Sequence, residues 1–534
     1  MRKIAALFAL FMLAVSGALP ANAQSLPGTL QSIPTPDGYQ LQAYVAVPKG
    51  SGPFPLVVMP SSWGVNYIEY VGEANNLAND GYIVVSYSSR GFSTLCAFNP
   101  QCGYIDIAGP LTVGDVSTVI TWALNNTPAN ANEIGASGIS YGAGTSLLAA
   151  ENDSRIKAVA SMSTWADLIA SLDANQTPSS QGIGLLSLAS YLGKPDSLMQ
   201  QINTDVLALN FAGAVQTLEA DPNTPGRSAI NNVAKLNANG TAVFVANAFE
   251  DSLFVPSQLI NFYNQLTVPK MMMFSHGDHT TAEILGAAGL PNEIYSALNS
   301  WFDHYLKGVN NGINTQPPVQ LKSQTGVWSA FANWNAVQQG AVTYNLTQPT
   351  GLFGLLPTGS MSFGAGGNWQ YGITGGYQTT ATTGVAFLSG ALTGYLDLPP
   401  PVALGLVSRS NAAVWTGPTF TQTQNLMGMP ALQMTVTPTT NNLTLIAYLY
   451  DVDALGIGSL ITWKPYTLLN ATVGVPQTID MNLEATNWQV NAGDQLALVI
   501  GTADLRYAGV TPVGSDVTFS ASSSTPSTLT VSLH

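Results

Sequence analysis

Continuous apolar runs alternate with amphipathic segments between Leu41 and Trp301. Six of the runs have the composition of buried strands, at residues 55–60, 82–87, 134–139, 156–162, 241–247 and 270–274. Buried parallel strands have this continuous pattern because helices cover both faces of their sheet. Helical spacing occurs between the runs, at residues 69–79, 113–125 and 145–152. The alternation therefore predicts a mostly parallel α/β sheet with helices on both faces.

The alternation stops between Trp165 and Asn239. This stretch is rich in Leu, Ala, Ser and Gln, keeps helical spacing and contains no strand-like run. We expect residues 165–239 to form a helical cap inserted into the sheet domain. The amphipathic segment 293–307 is predicted to be the helix that closes this domain.

Helical periodicity largely disappears after Gly308. Thr, Gly, Asn and Pro separate short alternating strands, for example at residues 443–450, 495–500 and 528–533. Many short strands with turn residues between them predict an all-β sandwich or jelly roll. We therefore expect an α/β catalytic domain at 24–309, a linker at 310–318 and a jelly-roll domain at 319–534.

The first 23 residues are predicted to be a signal peptide. Arg2 and Lys3 precede an apolar run at residues 4–15, and residues 21–23 form a small-x-small cleavage site. A membrane anchor is the alternative, but the apolar run is short for a bilayer span. We expect a secreted or periplasmic protein with no membrane span after cleavage.

Charged residues make up only 8% of the 534 residues, and the net charge is −14. No basic cluster interrupts this acidic balance, so nucleic acid is not an expected partner. Cys96 and Cys102 are the two cysteines, and they lie with five residues between them in a loop that contains Gly, Pro and Asn. In an exported protein a disulfide between them is favoured over two free thiols.

Residues 138–142 read Gly-Ile-Ser-Tyr-Gly, which matches the G-x-S-x-G nucleophile elbow. A predicted strand leads into the motif and a small-residue helix follows it. The glycines permit a tight turn that lifts the serine hydroxyl above the sheet edge. This context predicts that Ser140 is a catalytic nucleophile, and a purely structural turn is the alternative.

A serine hydroxyl needs a base to take its proton and a carboxylate to orient that base. In this fold the acid follows the serine and the histidine comes last. Asp251 lies just after the apolar run 241–247, where the acid is expected. We prefer it to the adjacent Glu250, because the D-x-x-x-P pattern places its carboxylate at the loop tip.

Two histidines follow the apolar run 270–274. His279, preceded by Gly277-Asp278, is preferred to His276 as the base. The H-x-x-H spacing is also compatible with a metal site, but no third ligand is obvious, so we expect neither a metal nor another cofactor. His304, inside an amphipathic helix, and His534, the last residue, are not expected to take part in chemistry.

Acyl transfer also requires donors for the oxyanion that forms on the attacked carbonyl. The backbone N–H of Tyr141, directly after the nucleophile, is the expected first donor. The second is expected from the loop after the run 55–60, where Trp63 has the appropriate position.

Several further motifs occur in a fixed order along the chain: YSSRGF at 87–92, DV at 115–116 before Trp122, WADL at 165–168, YLYDV at 448–452 and ADLRY at 503–507. With the elbow, Asp251 and the Gly-Asp-His segment, they make the chain resemble the Xaa-Pro dipeptidyl-peptidase S15 group, which includes the cocaine-esterase and glutaryl-acylase type (CocE/NonD) hydrolases. The resemblance implies an α/β-hydrolase fold and a jelly-roll (galactose-binding-like) C-terminal domain. It also implies a Ser140–Asp251–His279 triad that acts through an acyl-enzyme, under a helical cap.

The leading functional hypothesis is a secreted serine hydrolase that cleaves an ester or amide in a small molecule or a peptide. The alternative is a glycan- or surface-binding protein that uses its jelly roll and carries a degenerate hydrolase domain. The oligomeric state does not follow from the sequence.

Overall fold

The computed structural model describes residues 28–534, and these form two sheets with helices around the first. The predicted signal peptide, residues 1–23, lies outside the described residues. Along the described chain, no helix combines the length and the apolar character needed to cross a membrane.

Ten strands form the first sheet: β1 (Gly28–Pro34), β2 (Gln40–Ala46), β3 (Phe54–Pro60), β4 (Ile83–Tyr87), β5 (Ala129–Ile139), β6 (Ile156–Met162), β7 (Ala242–Ala248), β8 (Lys270–Ser275), β9 (Val319–Lys322) and β10 (Trp328–Phe331). Their order is β1-β2-β4-β3-β5-β6-β7-β8-β9-β10. The strands from β4 to β9 run parallel, and β1, β2 and β10 pair antiparallel at the two edges. All six apolar runs predicted as buried strands lie in this parallel part.

Helices cover both faces of this sheet: α1 (Val71–Asn79), α2 (Pro110–Asn126), α3 (Ser140–Asn152), α4 (Leu168–Leu172), α5 (Ser180–Ser190), α6 (Ser197–Leu207), α7 (Phe211–Ala220), α8 (Val233–Asn239), α9 (Pro256–Gln265), α10 (Ile284–Ala287) and α11 (Glu293–Tyr305). Successive side chains of a strand point to opposite faces. In β3, Leu56 and Val58 join the core under α2, α3 and α9, whereas Val57 and Met59 join the core under α1 and α11. Because both faces are buried, the strands are apolar throughout.

The segment between β6 and β7 leaves the sheet and forms helices α4 to α8. A two-stranded ribbon, Asp173–Ala174 with Thr177–Pro178, connects α4 to α5. Helix α5 is held by Ser179, whose side chain caps its first turn. These helices lie on the same side of the sheet as the carboxyl end of β5, so they cover the start of α3.

Thirteen strands form the second sheet: β11 (Ala341–Leu346), β12 (Gly359–Ser362), β13 (Trp369–Thr374), β14 (Pro401–Ala403), β15 (Ala413–Thr419), β16 (Gln424–Pro438), β17 (Leu443–Val452), β18 (Ile457–Leu468), β19 (Gln477–Asn482), β20 (Thr486–Val490), β21 (Gln495–Gly501), β22 (Asp516–Ala521) and β23 (Thr528–Leu533). Two short helices accompany them, α12 (Trp334–Val337) and α13 (Leu388–Leu396). Strand β12 connects the two halves of the sheet, since it pairs antiparallel with β11 and parallel with β15. Side chains from both halves, such as Val436 of β16 and Leu445 of β17, share one core.

The predicted fold class is confirmed: an α/β-hydrolase domain precedes an all-β domain. Strands β9 and β10 lie within the range predicted for the second domain, yet they extend the first sheet. Hydrogen bonding of β9 beside β8 is the reason, since Val319 to Leu321 pair with Met272 to Phe274. The predicted disulfide is also present, and it joins Cys96 to Cys102 in the loop after β4.

Among the described residues, five glutamates of the first domain are buried: Glu69, Glu73, Glu151, Glu250 and Glu283. Burial raises the pKa of Glu69, Glu73 and Glu283 to about 7 and that of Glu151 to about 9. Both carboxyl oxygens of Glu151 lack a hydrogen-bond partner. A buried carboxyl of this kind is neutral in acid, and its cost to the folded state grows as pH rises.

We predict that Glu151→Gln removes a pH-dependent loss of stability. The pKa of Glu151 in the folded protein is raised from 4.5 to about 9. Its contribution to the free energy of unfolding is therefore fully present below pH 4.5 and is lost as pH rises through about 9. The free energy of unfolding of the variant, relative to the wild type, should therefore increase by up to about 1.4 kcal/mol per pH unit over this window. Denaturant unfolding at pH 5, 7 and 9 measures it, with the exposed Glu219→Gln as control. An unchanged pH slope in Glu151→Gln would contradict the prediction.

Candidate functional site

Ser140 lies in a strained turn between β5 and α3. It has φ of +56°, in the left-handed region that a residue other than glycine rarely adopts. Gly142 follows closely, and a Cβ there would overlap the carbonyl of Pro60 in β3. The strand, turn and helix predicted around the motif are therefore all present, and the turn brings Ser140 to the carboxyl edge of the sheet.

Three buried side chains form a hydrogen-bonded row at this edge. The Ser140 hydroxyl is 2.7 Å from Nε2 of His279, and Nδ1 of the same ring is 2.9 Å from Oδ2 of Asp251. With the proton on Nδ1, the ring donates to Asp251 and accepts from Ser140. The structure thus brings together the three residues predicted as nucleophile, acid and base, although β5, β7 and β8 carry them separately.

Backbone donors hold the carboxylate of Asp251 in place. Its Oδ1 accepts the N–H of Leu253 at 2.8 Å and that of Phe254 at 2.7 Å. We call the loop after β7, which carries Asp251, the acid loop, and the loop after β8, which carries His279, the histidine loop. Asp278 connects the two, because its Oδ1 accepts the N–H groups of both Ser252 and His279. The two loops are therefore joined directly by hydrogen bonds to one carboxylate.

The environment of His279 favours its protonated form. Burial opposes the charge, but the carboxylate of Asp251 and its hydrogen bond outweigh burial and raise the pKa of His279 above the usual 6.5. Glu283 lies nearby and receives a hydrogen bond from Ser163, and burial raises its pKa to about 7. A positive imidazolium at this position is thus stabilised by acidic groups around it.

The two rejected candidates, Glu250 and His276, contact each other instead. Nδ1 of His276 is 2.6 Å from Oε1 of Glu250, and Nε2 is 2.9 Å from the carbonyl oxygen of Asn487 in β20. Both ring nitrogens face acceptors, an arrangement that favours the doubly protonated, positively charged ring. The Glu250 charge and these bonds outweigh burial and raise the pKa of His276. This pair connects the histidine loop to the second domain through the carbonyl of Asn487.

Tyr141 and Trp63, whose backbone N–H groups are the predicted oxyanion donors, both lie beside Ser140. Tyr141 is the second residue of α3, and the first N–H groups of a helix have no partner within it. Trp63 follows β3, and its ring lies 5.0 Å from that of Tyr141. The indole N–H of Trp63 is bonded to the Leu186 carbonyl of α5, so only its backbone N–H is a candidate for the oxyanion.

A cavity opens beside Ser140, between the sheet edge and the cap. It has a volume of about 70 Å³, whereas one water needs about 10–15 Å³ on this measure. Apolar side chains from α4 to α7 form most of its wall, and the lining residues are Trp63, Ile107, Ser140, Tyr141, Trp165, Leu168, Ile169, Leu172, Ile183, Leu186, Ser187, Met199, Ile202, Ala214, Val215, Leu218 and Phe254. The cavity has room for a small acyl group next to the Ser140 hydroxyl.

Helix α13 of the second domain packs directly on the histidine loop, a contact that we did not predict from the sequence. The ring of Phe387 lies 5.8 Å from that of His279. A Cβ on Gly390 would lie 2.7 Å from the Cβ of Asp278, so this close approach requires glycine. Gly390 and Gly394 are four residues apart and share one helical face. This four-residue spacing of glycines is the sequence feature from which the contact of α13 with the histidine loop could have been predicted.

The remaining histidines lie away from this site. His304 is bonded to the carbonyl of Val309, and His534 to that of Val337. Among residues 28–534, no cluster of three or more His, Cys, Asp or Glu side chains is arranged to hold a metal ion.

Two family models match the chain in succession. The model described as X-Pro dipeptidyl-peptidase (S15 family) matches residues 37–281, and that of the X-Pro dipeptidyl-peptidase C-terminal non-catalytic domain matches residues 311–532. Together the two matches cover most of the described chain, and they agree with the resemblance to the S15 group seen in the sequence motifs.

Individual relatives are distant. A putative Xaa-Pro dipeptidyl-peptidase of Bacillus anthracis is 27% identical over 96 residues, which span 17% of this chain and 15% of the relative. A CocE/NonD family hydrolase from Staphylococcus aureus has a TM-score of 0.70 at 14% identity, covering 95% of this chain and 93% of its own. An α-amino acid ester hydrolase has a TM-score of 0.70 at 15% identity, covering 97% and 98%. At these identities the solved structures establish the shared two-domain fold.

We predict that His276→Asn destabilises the protein in a pH-dependent manner. Breaking a buried ion pair costs about 3–5 kcal/mol, and the folded pKa of His276 is raised above 6.5. Its contribution is therefore fully present below pH 6.5 and is lost as pH rises through the folded pKa. Denaturant unfolding of both proteins from pH 5.5 to 9 measures the difference.

The carboxylate of Asp397 also interacts electrostatically with His276, so its contribution is lost in the variant as well. The half-buried His304, which has no carboxylate partner among its hydrogen bonds, provides the histidine control, and His304→Asn should show no comparable loss. A stability difference that stays constant across this pH range would show that His276 is not charged in the folded protein.

Proposed function

We propose that this protein is a secreted hydrolase that cleaves an ester or amide through an acyl-enzyme on Ser140. The observation that carries the proposal is the row Asp251–His279–Ser140, with hydrogen bonds of 2.9 and 2.7 Å. These residue types at these distances form the arrangement that activates a serine for acyl transfer. The signal peptide predicted at residues 1–23 supports export.

In the acylation step, the Ser140 oxygen attacks the substrate carbonyl carbon. Nε2 of His279 takes the hydroxyl proton, and the carbonyl electrons move onto oxygen. The tetrahedral intermediate then collapses, the bond to the leaving group breaks, and His279 donates its proton to the departing oxygen or nitrogen. The acyl group remains on Ser140. Asp251 keeps the proton on Nδ1 and stabilises the imidazolium that exists between the two transfers.

Deacylation repeats these steps with water as the nucleophile. His279 takes a proton from the water, the hydroxide adds to the acyl carbon, and the second intermediate expels the Ser140 oxygen, which recovers its proton. The backbone N–H groups of Tyr141 and Trp63 are the proposed donors to the oxyanion in both steps. Such donors act because they are already oriented before charge develops.

A fluorophosphonate probe tests the identity of the nucleophile. We expect the wild type to be labelled on one site, Ser140→Ala not to be labelled, and His279→Ala to react at least 100-fold more slowly. His276→Asn serves as the matched histidine control and should keep most of the labelling rate. Labelling of Ser140→Ala at the wild-type rate would exclude Ser140, and loss of labelling only in His276→Asn would exchange the roles of the two histidines.

The pH profile tests the base. His279 must be neutral to accept a proton, and its pKa is raised by Asp251, so kcat/KM should rise with pH through an apparent pKa above 6.5. In Asp251→Asn we expect this limb to move to lower pH and kcat to fall by about 10³–10⁴-fold. Steady-state kinetics from pH 5 to 9 measures both effects. A limb that stays in place in Asp251→Asn would contradict the assignment of Asp251.

A further inference from the structure

The cavity beside Ser140 has almost no polar surface to offer a ligand. Seventeen residues line the cavity. Two tryptophans, two serines and one tyrosine carry a polar side-chain atom, and the other twelve residues have purely apolar side chains. None of these residues, in the part of the chain that the structure describes, is Asp, Glu, Lys, Arg or His. An acyl group bound there meets hydrocarbon and aromatic rings.

The few polar atoms of the wall already have partners. The indole N–H of Trp63 donates to the Leu186 carbonyl, and that of Trp165 donates to the Arg227 carbonyl at 2.6 Å. These bonds point the polar edges of both rings at the protein backbone.

Two hydroxyls in the wall are engaged as well. The Ser187 hydroxyl donates to Oδ1 of Asn203 at 2.6 Å, and the Tyr141 oxygen accepts the N–H of Ala108 at 2.7 Å. The Ser140 hydroxyl, bonded to His279, is thus the lining side-chain group that is left for chemistry with a substrate.

The aromatic rings do not form a cage for a cation. A cage needs ring faces that converge on an open space. Here the rings pack against one another: Trp63 and Tyr141 are edge to face at 76° with centroids 5.0 Å apart, and Trp165 and Phe254 are tilted at 53° with centroids 5.1 Å apart. They form a packed wall that leads to His279, whose ring lies 5.2 Å from that of Phe254.

We infer that the acyl half of the substrate is uncharged and apolar, and that an acyl group with a free ammonium is rejected. The inference rests on the proposed hydrolase function and specifies its substrate class. An ammonium in this cavity would lose its hydration without gaining a carboxylate or a free carbonyl. An aliphatic or aromatic acyl group of the same shape loses nothing and buries apolar area.

One carboxylate of the cap requires a control. Oδ1 of Asp173 has no hydrogen-bond partner, and burial raises the pKa of this group to about 6. Asp173 directly follows Leu172, which lines the cavity, but is not itself a lining residue. We expect Asp173→Asn to leave the discrimination unchanged.

The test compares two esters of identical shape, p-nitrophenyl 2-methylpropanoate and p-nitrophenyl alaninate, at pH 6. In these esters a methyl group and an ammonium occupy the same place. Each kcat/KM is divided by the spontaneous hydrolysis rate of that ester, since the ammonium activates the carbonyl. We expect the wild type to favour the 2-methylpropanoate at least 100-fold. A ratio near one, or a preference for the alaninate that Asp173→Asn removes, would overturn the inference.

Cavity variants locate the acyl group. Val215→Asp introduces a carboxylate into the wall and should reduce the discrimination at least 10-fold. Ala214→Leu fills space without adding charge, so it should slow p-nitrophenyl hexanoate more than p-nitrophenyl acetate, and it keeps the test valid if Val215→Asp does not fold. Unchanged hexanoate-to-acetate selectivity in Ala214→Leu would show that the acyl group binds elsewhere.

If Ser140-dependent hydrolysis of every ester is absent, the hydrolase proposal itself fails, whereas hydrolysis without discrimination overturns only the substrate class.

Discussion

The hydrogen bonds that His279 makes on both sides connect loops from three different strands. Ser140 follows β5, Asp251 follows β7, and His279 follows β8, so these three side chains meet only if the parallel sheet keeps its order and twist. The strained φ of Ser140 is part of the same constraint. A turn with ordinary dihedrals would point the hydroxyl away from the ring, and the surrounding glycines let β3 and α3 approach closely enough to impose the strain.

The second domain contributes to this arrangement without reaching Ser140. Helix α13 presses against the histidine loop through Gly390 and Gly394, and the charged ring of His276 joins that loop to β20. The loop around Arg506 also binds the start of α5, since its carbonyl accepts bonds from Ser180 and Gln181. The all-β domain therefore contacts both the histidine loop and the cap, the two parts of the first domain that lie closest to the site.

Much of the catalytic domain follows from local patterns. The continuous apolar runs are the parallel strands, because both faces of each are buried, and Ser140, Asp251 and His279 follow from motif, order and loop position. The pairing of Glu250 with His276 was not predictable. In the sequence, Glu250 is an alternative to Asp251 as the acid, and His276 is an alternative to His279 as the base. The other ring nitrogen of His276 is bonded to the carbonyl of Asn487, more than 200 residues away. Strands β9 and β10 also have the short alternating pattern of the second domain. They belong to the first sheet because β9 pairs with β8, and this pairing is not visible in the sequence.

The apolar cavity also depends on long-range packing. The cap helices have ordinary amphipathic sequences, and nothing local shows that Trp63 and Trp165 would turn their N–H groups toward the backbone. Specificity of this kind comes from the way loops and helices meet, which a motif does not encode.

Formation of an acyl-enzyme on Ser140 is the central claim, and rapid-quench mass spectrometry tests it most directly. The protein is mixed with p-nitrophenyl 2-methylpropanoate, quenched in acid within milliseconds and digested. The account predicts a burst of about one p-nitrophenol per active site and a 2-methylpropanoyl adduct on the peptide that contains Ser140. An adduct on another residue, or full turnover by Ser140→Ala, would contradict it.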